Sequence, residues 1–244
     1  MNSLSSAIGS ERRSRTSGYQ IKKGFFSNET QNLPQIVAIL AEANTANQGS
    51  LSLDKREITS SDEAGQIYGY GSPIHQIMRI LRPNGETGIG GIPTIVFPCS
   101  EALGATATVI NLTIVGNATK NTIHTIRICG RESLDFKPYS VSIQKGDTPA
   151  IIAGKFRDVI NNNLSSPVLA SGGVGGDLVL TSKWKGKTSE DISASFNVND
   201  DSAGITYGIT SKVAGSGFSG LTQLANFGSD WYTVVLNSFG ESGF

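Results

Sequence analysis

The chain has 244 residues, with 20 Lys+Arg against 20 Asp+Glu and a formal net charge of zero. That balance argues against broad affinity for nucleic acid or an anionic membrane surface, and no window reaches the roughly 18 consecutive apolar residues of a membrane span. Two cysteines, Cys99 and Cys129, are too few for a disulfide framework or a zinc site, and each sits in an apolar, strand-like run as a buried or half-buried thiol would.

Residues 1–17 are Ser- and Arg-rich, with Arg12, Arg13 and Arg15 set against Glu11. Such a segment cannot bury enough surface to fold alone, and it lacks the apolar centre of a secretion signal, so a polar arm on a soluble, cytosolically made chain is expected. Its arginines have no aromatic residues among them, unlike a nucleic-acid arm. Tyr19 and Ile21 then alternate with Gln20 and Lys22, ahead of Phe25 and Phe26. This is a strand pattern with nothing nearby to pair with, so it must find a sheet edge in its own chain or in a neighbouring subunit. Tyr19, Ile21, Phe25 and Phe26 are the candidate subunit-interface residues. No catalytic, cofactor-binding or metal-binding residue is proposed.

Residues 34–41 form a continuous apolar run rich in β-branched side chains, as expected of a central strand covered on both faces. A polar loop over residues 44–53 follows. Ser60 and Glu63 then have capping-box spacing, in which the hydroxyl accepts from the third helical N–H and the carboxylate reaches back to the cap N–H. Ala64, Ile67 and Tyr68 give that helix its buried side. Gly69 and Gly71 end it, and Ser72-Pro73 caps a second helix whose Ile74, Ile77, Met78 and Leu81 should face a sheet. His75 borders that stripe as a partly buried polar residue with no second ligand or nucleophile in view. The glycines of residues 85–91 lack the Lys-Ser/Thr of a P-loop. Residues 94–98 read as the next strand, completing an α/β unit.

Beyond Pro98 the texture changes to short alternating strands. Ile110, Leu112 and Ile114 share one face; His124, Ile126 and Ile128 share another, opposite Thr125, Arg127 and Cys129, which separates His124 from Cys129. Val141 and Ile143 continue the pattern. Thr148-Pro149 caps a helix carrying Ile152, Phe156, Val159 and Ile160. Leu178 with Leu180, then Ile192, Ala194, Phe196 and Val198, then Ile205, Tyr207 and Ile209 mark further strands, and the glycines of residues 172–176 make a hairpin turn. Asn28, Asn111, Asn117 and Asn163 open Asn-x-Ser/Thr triplets, which without a secretion signal read as Asn/Thr-rich β surface. Leu221, Leu224 and Ala225 suggest a short helix, and residues 231–237 are again a continuous apolar strand, texturally a return to the first sheet.

The expected fold class is therefore α+β: an incomplete α/β sheet domain with a large inserted β-rich domain carrying one helix. The boundaries are an N-terminal arm with a donatable strand over residues 1–33, a discontinuous α/β core over residues 34–101 and 215–244, and the insertion over residues 102–214. The apolar strand at 94–98 should pair with both 34–41 and 231–237.

The stretch from Ile58 to Met78 resembles the helix-turn segment of contractile phage tail sheath proteins, the Mu-like sheath most of all, in their N-terminal portion. There a small, acidic helix start leads to a Phe/Tyr-Gly-x-Gly-Ser turn, here Tyr68 to Ser72, then an amphipathic helix with a Met and a strand. Gly146-Asp147-Thr148-Pro149 with Ile152-Ala153, and residues 183–192 set beside the family's Lys-Gly-x-x-Gly-Asn-Asp-Ile turn, are similar as well. The resemblance covers roughly residues 35–239. Sheath proteins of this type usually continue further and begin with a Pro-Gly-Val-Tyr-like segment that Ser17-Gly18-Tyr19 echoes only loosely, so either a front part or a shortened subunit is expected.

The resemblance implies a virion structural subunit made in the host cytoplasm. Sheath copies assemble helically as a homo-oligomer around the tail tube, meet the baseplate and tail terminator, and contract through rearranged subunit contacts without nucleotide hydrolysis, cofactor, nucleic acid or membrane. The alternative is a β-rich binding or adhesion module of a tail accessory protein, presenting Asn, Thr and Ser loops to carbohydrate or a cell surface. An enzyme is disfavoured: the carboxylate neighbours Asp62-Glu63, Glu190-Asp191 and Asp200-Asp201 are adjacent in sequence, so in a strand they point to opposite faces.

Overall fold

In the computed structural model, which describes residues 35–83, 88–130, 138–199, 201–218 and 221–239, the first sheet is built around β1 (Val37–Glu42). All six of its residues are buried. β1 pairs in parallel with β3 (Thr94–Cys99) on one side and with β11 (Val234–Asn237) on the other, and β2 (Arg56–Glu57) pairs antiparallel with β3, giving the order β11-β1-β3-β2. β1 is thus central, as its unbroken apolar run suggests. β3 does not touch β11, contrary to the pairing expected from texture, because β1 lies between them. β2 escapes sequence reading: two charged residues have no alternation to detect.

Both faces of β1 and β3 are covered, which is why these two strands carry no polar stripe. Ile39, Ala41 and Val96 face two helices, α1 (Ser61–Tyr68) and α2 (Pro73–Leu81), through Ala64, Tyr68, Ile74, Ile77 and Met78. Ala38, Leu40, Phe97 and Cys99 face the other way, toward Phe227 at the end of a 3-10 helix (Leu221–Phe227), Tyr232 and Phe239. Phe97 stacks on Phe227 with ring centroids 4.1 Å apart.

The caps form as the spacing predicts, with one adjustment. The Ser60 hydroxyl accepts from Glu63 N–H at 3.1 Å. The Glu63 carboxylate reaches one residue further back than expected and takes the N–H and hydroxyl of Thr59, at 2.9 and 3.0 Å. The Ser72 hydroxyl accepts from His75 N–H at 3.3 Å, with Pro73 in the first turn of α2.

The β-rich region holds two more sheets, β10-β4-β8-β7 and β6-β5-β9. Their strands are β4 (Ala107–Val115), β5 (Thr122–Cys129), β6 (Pro138–Ile143), β7 (Val168–Gly172), β8 (Asp177–Lys185), β9 (Ser193–Asn197) and β10 (Thr206–Val213). All their pairings are antiparallel, so hydrophobic and polar residues alternate cleanly along β4, β6 and β8. α3 (Pro149–Asn162), capped by Thr148, adds Ile152, Ala153, Phe156 and Ile160 to the core between the sheets. β8 runs on through Trp184, past the point where its sequence suggests a turn, and a 3-10 helix (Lys187–Asp191) follows. Sheet and β-rich region belong to one compact unit beginning at Gln35.

Candidate functional site

In an open sheet with parallel strands, ligands usually lie beyond the carboxyl ends of the strands. β1, β3 and β11 all end on the same side, at Glu42, Cys99 and Asn237. That place is filled by the chain itself. Glu42, 1% exposed, accepts at Oε1 from the Thr188 hydroxyl (2.8 Å) and at Oε2 from the Ser238 hydroxyl (2.5 Å). The Thr188 oxygen in turn accepts from the indole N–H of Trp184 at 2.9 Å. Burial, and then the Glu42 charge, push the neighbouring Cys99 thiol up to about 12, so it is inert as a nucleophile at neutral pH.

Around Thr188 the chain enters and leaves the β-rich region through a knot of three segments. Thr106 and Ser216 exchange backbone hydrogen bonds at 2.9 and 3.2 Å. Gly186 N–H donates to Thr106 carbonyl (3.0 Å), Lys187 N–H to Gly217 carbonyl (2.8 Å), and Gly215 N–H to the Thr108 hydroxyl (2.8 Å), itself 3.0 Å from the Ser189 hydroxyl. A Cβ at Gly215 would lie 2.1 Å from Ser189 Oγ and 2.5 Å from Gly186 carbonyl oxygen, so the closeness of these segments requires glycine. Glu101 adds a second tie: its carboxylate accepts from the Thr45 hydroxyl and from Lys185 N–H, with the Lys185 ammonium 3.6 Å away.

A third contact brings the turn between the two helices against the β-rich region. Gln76 Nε2 donates to Ser165 carbonyl at 2.6 Å. Gly71, at φ +82°, lies so close that a Cβ would sit 2.1 Å from Ser166 carbonyl oxygen, and its N–H donates to His75 Nδ1 at 3.1 Å. The Tyr68-Gly-Tyr-Gly-Ser72 turn is therefore a packing surface. His75 is more deeply buried than its place beside the helical stripe suggests, with the Tyr70 ring meeting it edge-on at a centroid distance of 5.2 Å. Lys183 borders the same contact; burial pulls its ammonium down to about 8, and it donates to Leu164 carbonyl at 3.0 Å.

The second histidine, His124, is fully buried between the sheets. Its Nε2 lies 2.7 Å from Asp201 carbonyl oxygen, which can only accept, and its Nδ1 lies 2.6 Å from the Tyr207 hydroxyl. Tyr207, stacked on Phe196, has its phenol pushed up by burial. The ring ties β5 to β10 and to the Asp201 turn.

Of the carboxylates singled out in the sequence, Asp62, Glu63 and Asp201 are held by hydrogen bonds or ion pairs, and Asp200 lies outside the described residues. Asp62 accepts from Gln66 and Tyr70, Glu63 from the cap, and Asp201 from Lys120 and Ala203 N–H. No group of three or more His, Cys, Asp or Glu side chains able to hold a metal ion occurs among the described residues. An open groove of 590 Å³ is lined by Pro138, Tyr139, Val159, Asn162, Asn163, Leu164 and Ser165, with no carboxylate, imidazole, thiol or amine among them. No helix among the described residues is long and apolar enough to cross a membrane.

The remaining feature is the outer edge of the first sheet. Among the described residues β11 pairs with β1 alone, and its Val234 and Val235 are 45% and 46% exposed. Trp231, 66% exposed, precedes it, so a run that reads as a fully covered strand is half open. Tyr19, Ile21, Phe25 and Phe26, the candidate interface residues, lie outside the described residues.

No protein-family model matches the chain. It is similar to the Mu-like prophage FluMu tail sheath protein of Haemophilus influenzae, 23% identical over 189 residues. The match takes in 76% of this chain and 37% of the relative, so the chain spans well under half of that protein's length.

Proposed function

We infer that this chain is part of a structural subunit of a contractile phage-type tail sheath. Copies of it polymerise helically around a tail tube, and contraction follows from rearranged contacts between copies, without nucleotide hydrolysis. The observation that carries this is the match to the Mu-like prophage tail sheath protein. Glu42, Glu63 and both imidazoles are engaged in ties, caps and packing, which supports a mechanical role. On this reading the partners are other sheath subunits, the tail tube protein, the baseplate and the tail terminator. The protein works in the virion after synthesis in the host cytoplasm, and it needs no cofactor, metal or catalytic residue.

Residues 34–101 and 215–244 are then the discontinuous α/β core, residues 102–214 the inserted β-rich domain, and residues 1–33 an arm. Among the described residues the core sheet ends at β11, whose outer backbone edge is open to a further strand. Strand addition suits a moving assembly, because backbone hydrogen bonds on a flexible arm survive a large rigid-body shift of the body it serves. Tyr19, Ile21, Phe25 and Phe26 supply the alternating side chains for such an arm. Deleting residues 1–26 should leave circular dichroism and thermal unfolding nearly unchanged while abolishing polymerisation in electron micrographs. Long assemblies from the truncated chain would show that the arm is not the connector.

A further inference from the structure

The side-chain hydrogen bonds that join the β-rich region to the first sheet and its helices gather at two places. One is the end of β8, where the Thr188 hydroxyl donates to Glu42 and Lys185 N–H donates to Glu101. The other is the segment just before β7, where Ser165 carbonyl accepts from Gln76 and Ser166 lies against Gly71. β7 is the edge strand of its sheet, next to β8, so the two places stand side by side across the strands. The bonds of the neck, among residues 106–108, 186–189 and 215–217, run between the β-rich region and its own exit segment. They close the neck without setting its angle to the first sheet.

The two places differ in stiffness. At the end of β8 the link runs through the side chains of Glu42 and Glu101, whose torsions leave the joined parts some freedom to turn. Before β7, backbone meets backbone. Gly71 has φ +82°, and a Cβ there would lie 2.1 Å from Ser166 carbonyl oxygen and 3.0 Å from Lys183 Cδ. Buried Gln76 pins the same segment, its Nε2 donating to Ser165 carbonyl at 2.6 Å while its Oε1 accepts from Arg79 at 3.2 Å, so both ends of the amide are held. A body attached at one yielding point can turn about it, and a second, stiff point stops the turning. We propose that Gly71 and Gln76 are positioning residues that latch the β-rich region at one angle to the first sheet, with the end of β8 as the pivot about which it swings once the latch is undone. This latch does not depend on the sheath reading.

Pulsed electron-spin distance measurements on the full chain test it, with spin labels at Gln66→Cys on α1 and Ile123→Cys on β5, both exposed positions, in a Cys129→Ser background where Cys99 is buried. Gly71→Ala forces the turn and Ser166 apart by about 1 Å. Gln76→Ala removes the pin and leaves the backbone of the turn untouched. The latched chain should give one narrow distance; Gly71→Ala should shift and broaden it, and Gln76→Ala should do the same to a smaller extent. A second label pair inside the β-rich region, Ile123→Cys with Val213→Cys, should stay narrow in both variants. A distance between residues 66 and 123 that stays narrow and unshifted in the two variants would overturn the latch, since the end of β8 would then fix the angle alone. So would broadening of the second pair, because the substitutions would then be loosening the β-rich region itself.

Discussion

Glu63 ends the loop before α1 by accepting from the backbone N–H of Thr59, and that hydrogen bond, with the Thr59 hydroxyl and nearby Arg56, holds its carboxyl below the usual range despite partial burial. A carboxyl lowered in the folded state stabilises it above the unfolded pKa, near 4.5, and the contribution is lost as pH falls through the lower folded value. Glu63→Gln should therefore cost about 1 kcal/mol or less at pH 7, and the gap from wild type should close below about pH 4. Thermal unfolding of both proteins across that range measures it; a gap that persists or widens in acid contradicts the cap. This residue was legible in the sequence because capping is local, set by a three-residue spacing. Glu42 was not. One acid at the end of an apolar strand looks like the solvent boundary, and its partners lie 146 and 196 residues away.

The elements follow the same division between local and distant causes. α2 is encoded twice over, by Ser72-Pro73 at its start and by Ile74, Ile77 and Met78 on one face, and it forms where those signals place it. β1, β3 and β11 share one texture, but texture carries no neighbour order, and the expected contact of β3 with β11 gives way to a central β1. β11 departs most from its sequence. An apolar run suited to a covered strand lies at an edge with its valines half exposed, which is the arrangement that invites pairing with another strand. Val235→Lys places a charge there and should weaken concentration-dependent association by about tenfold or more, as followed by sedimentation velocity. Its thermal midpoint should fall by only a few degrees, since the side chain is 46% exposed. Unchanged association would remove the edge from the assembly surface.

For the whole molecule, the change of texture at Pro98 and its reversal near residue 231 correspond to a mixed, mainly parallel sheet and two antiparallel sheets in the described residues. What the texture does not contain is how firmly they are joined: the Glu42, Glu101 and Gly71 contacts all span the boundary, and each depends on residues far apart in the chain. A body tied this tightly is suited to moving as a unit while its connections to neighbours change, which is what a contractile array asks of its subunits. The relative that carries the functional proposal matches this chain over 37% of its own length, so assembly is the property to measure. Negative-stain electron microscopy of the purified chain, alone and mixed with tail tube protein, does so most directly. Rings or striated cylinders, longer and more regular when tube protein is present, are the expected result; compact monomers under both conditions would contradict the sheath assignment.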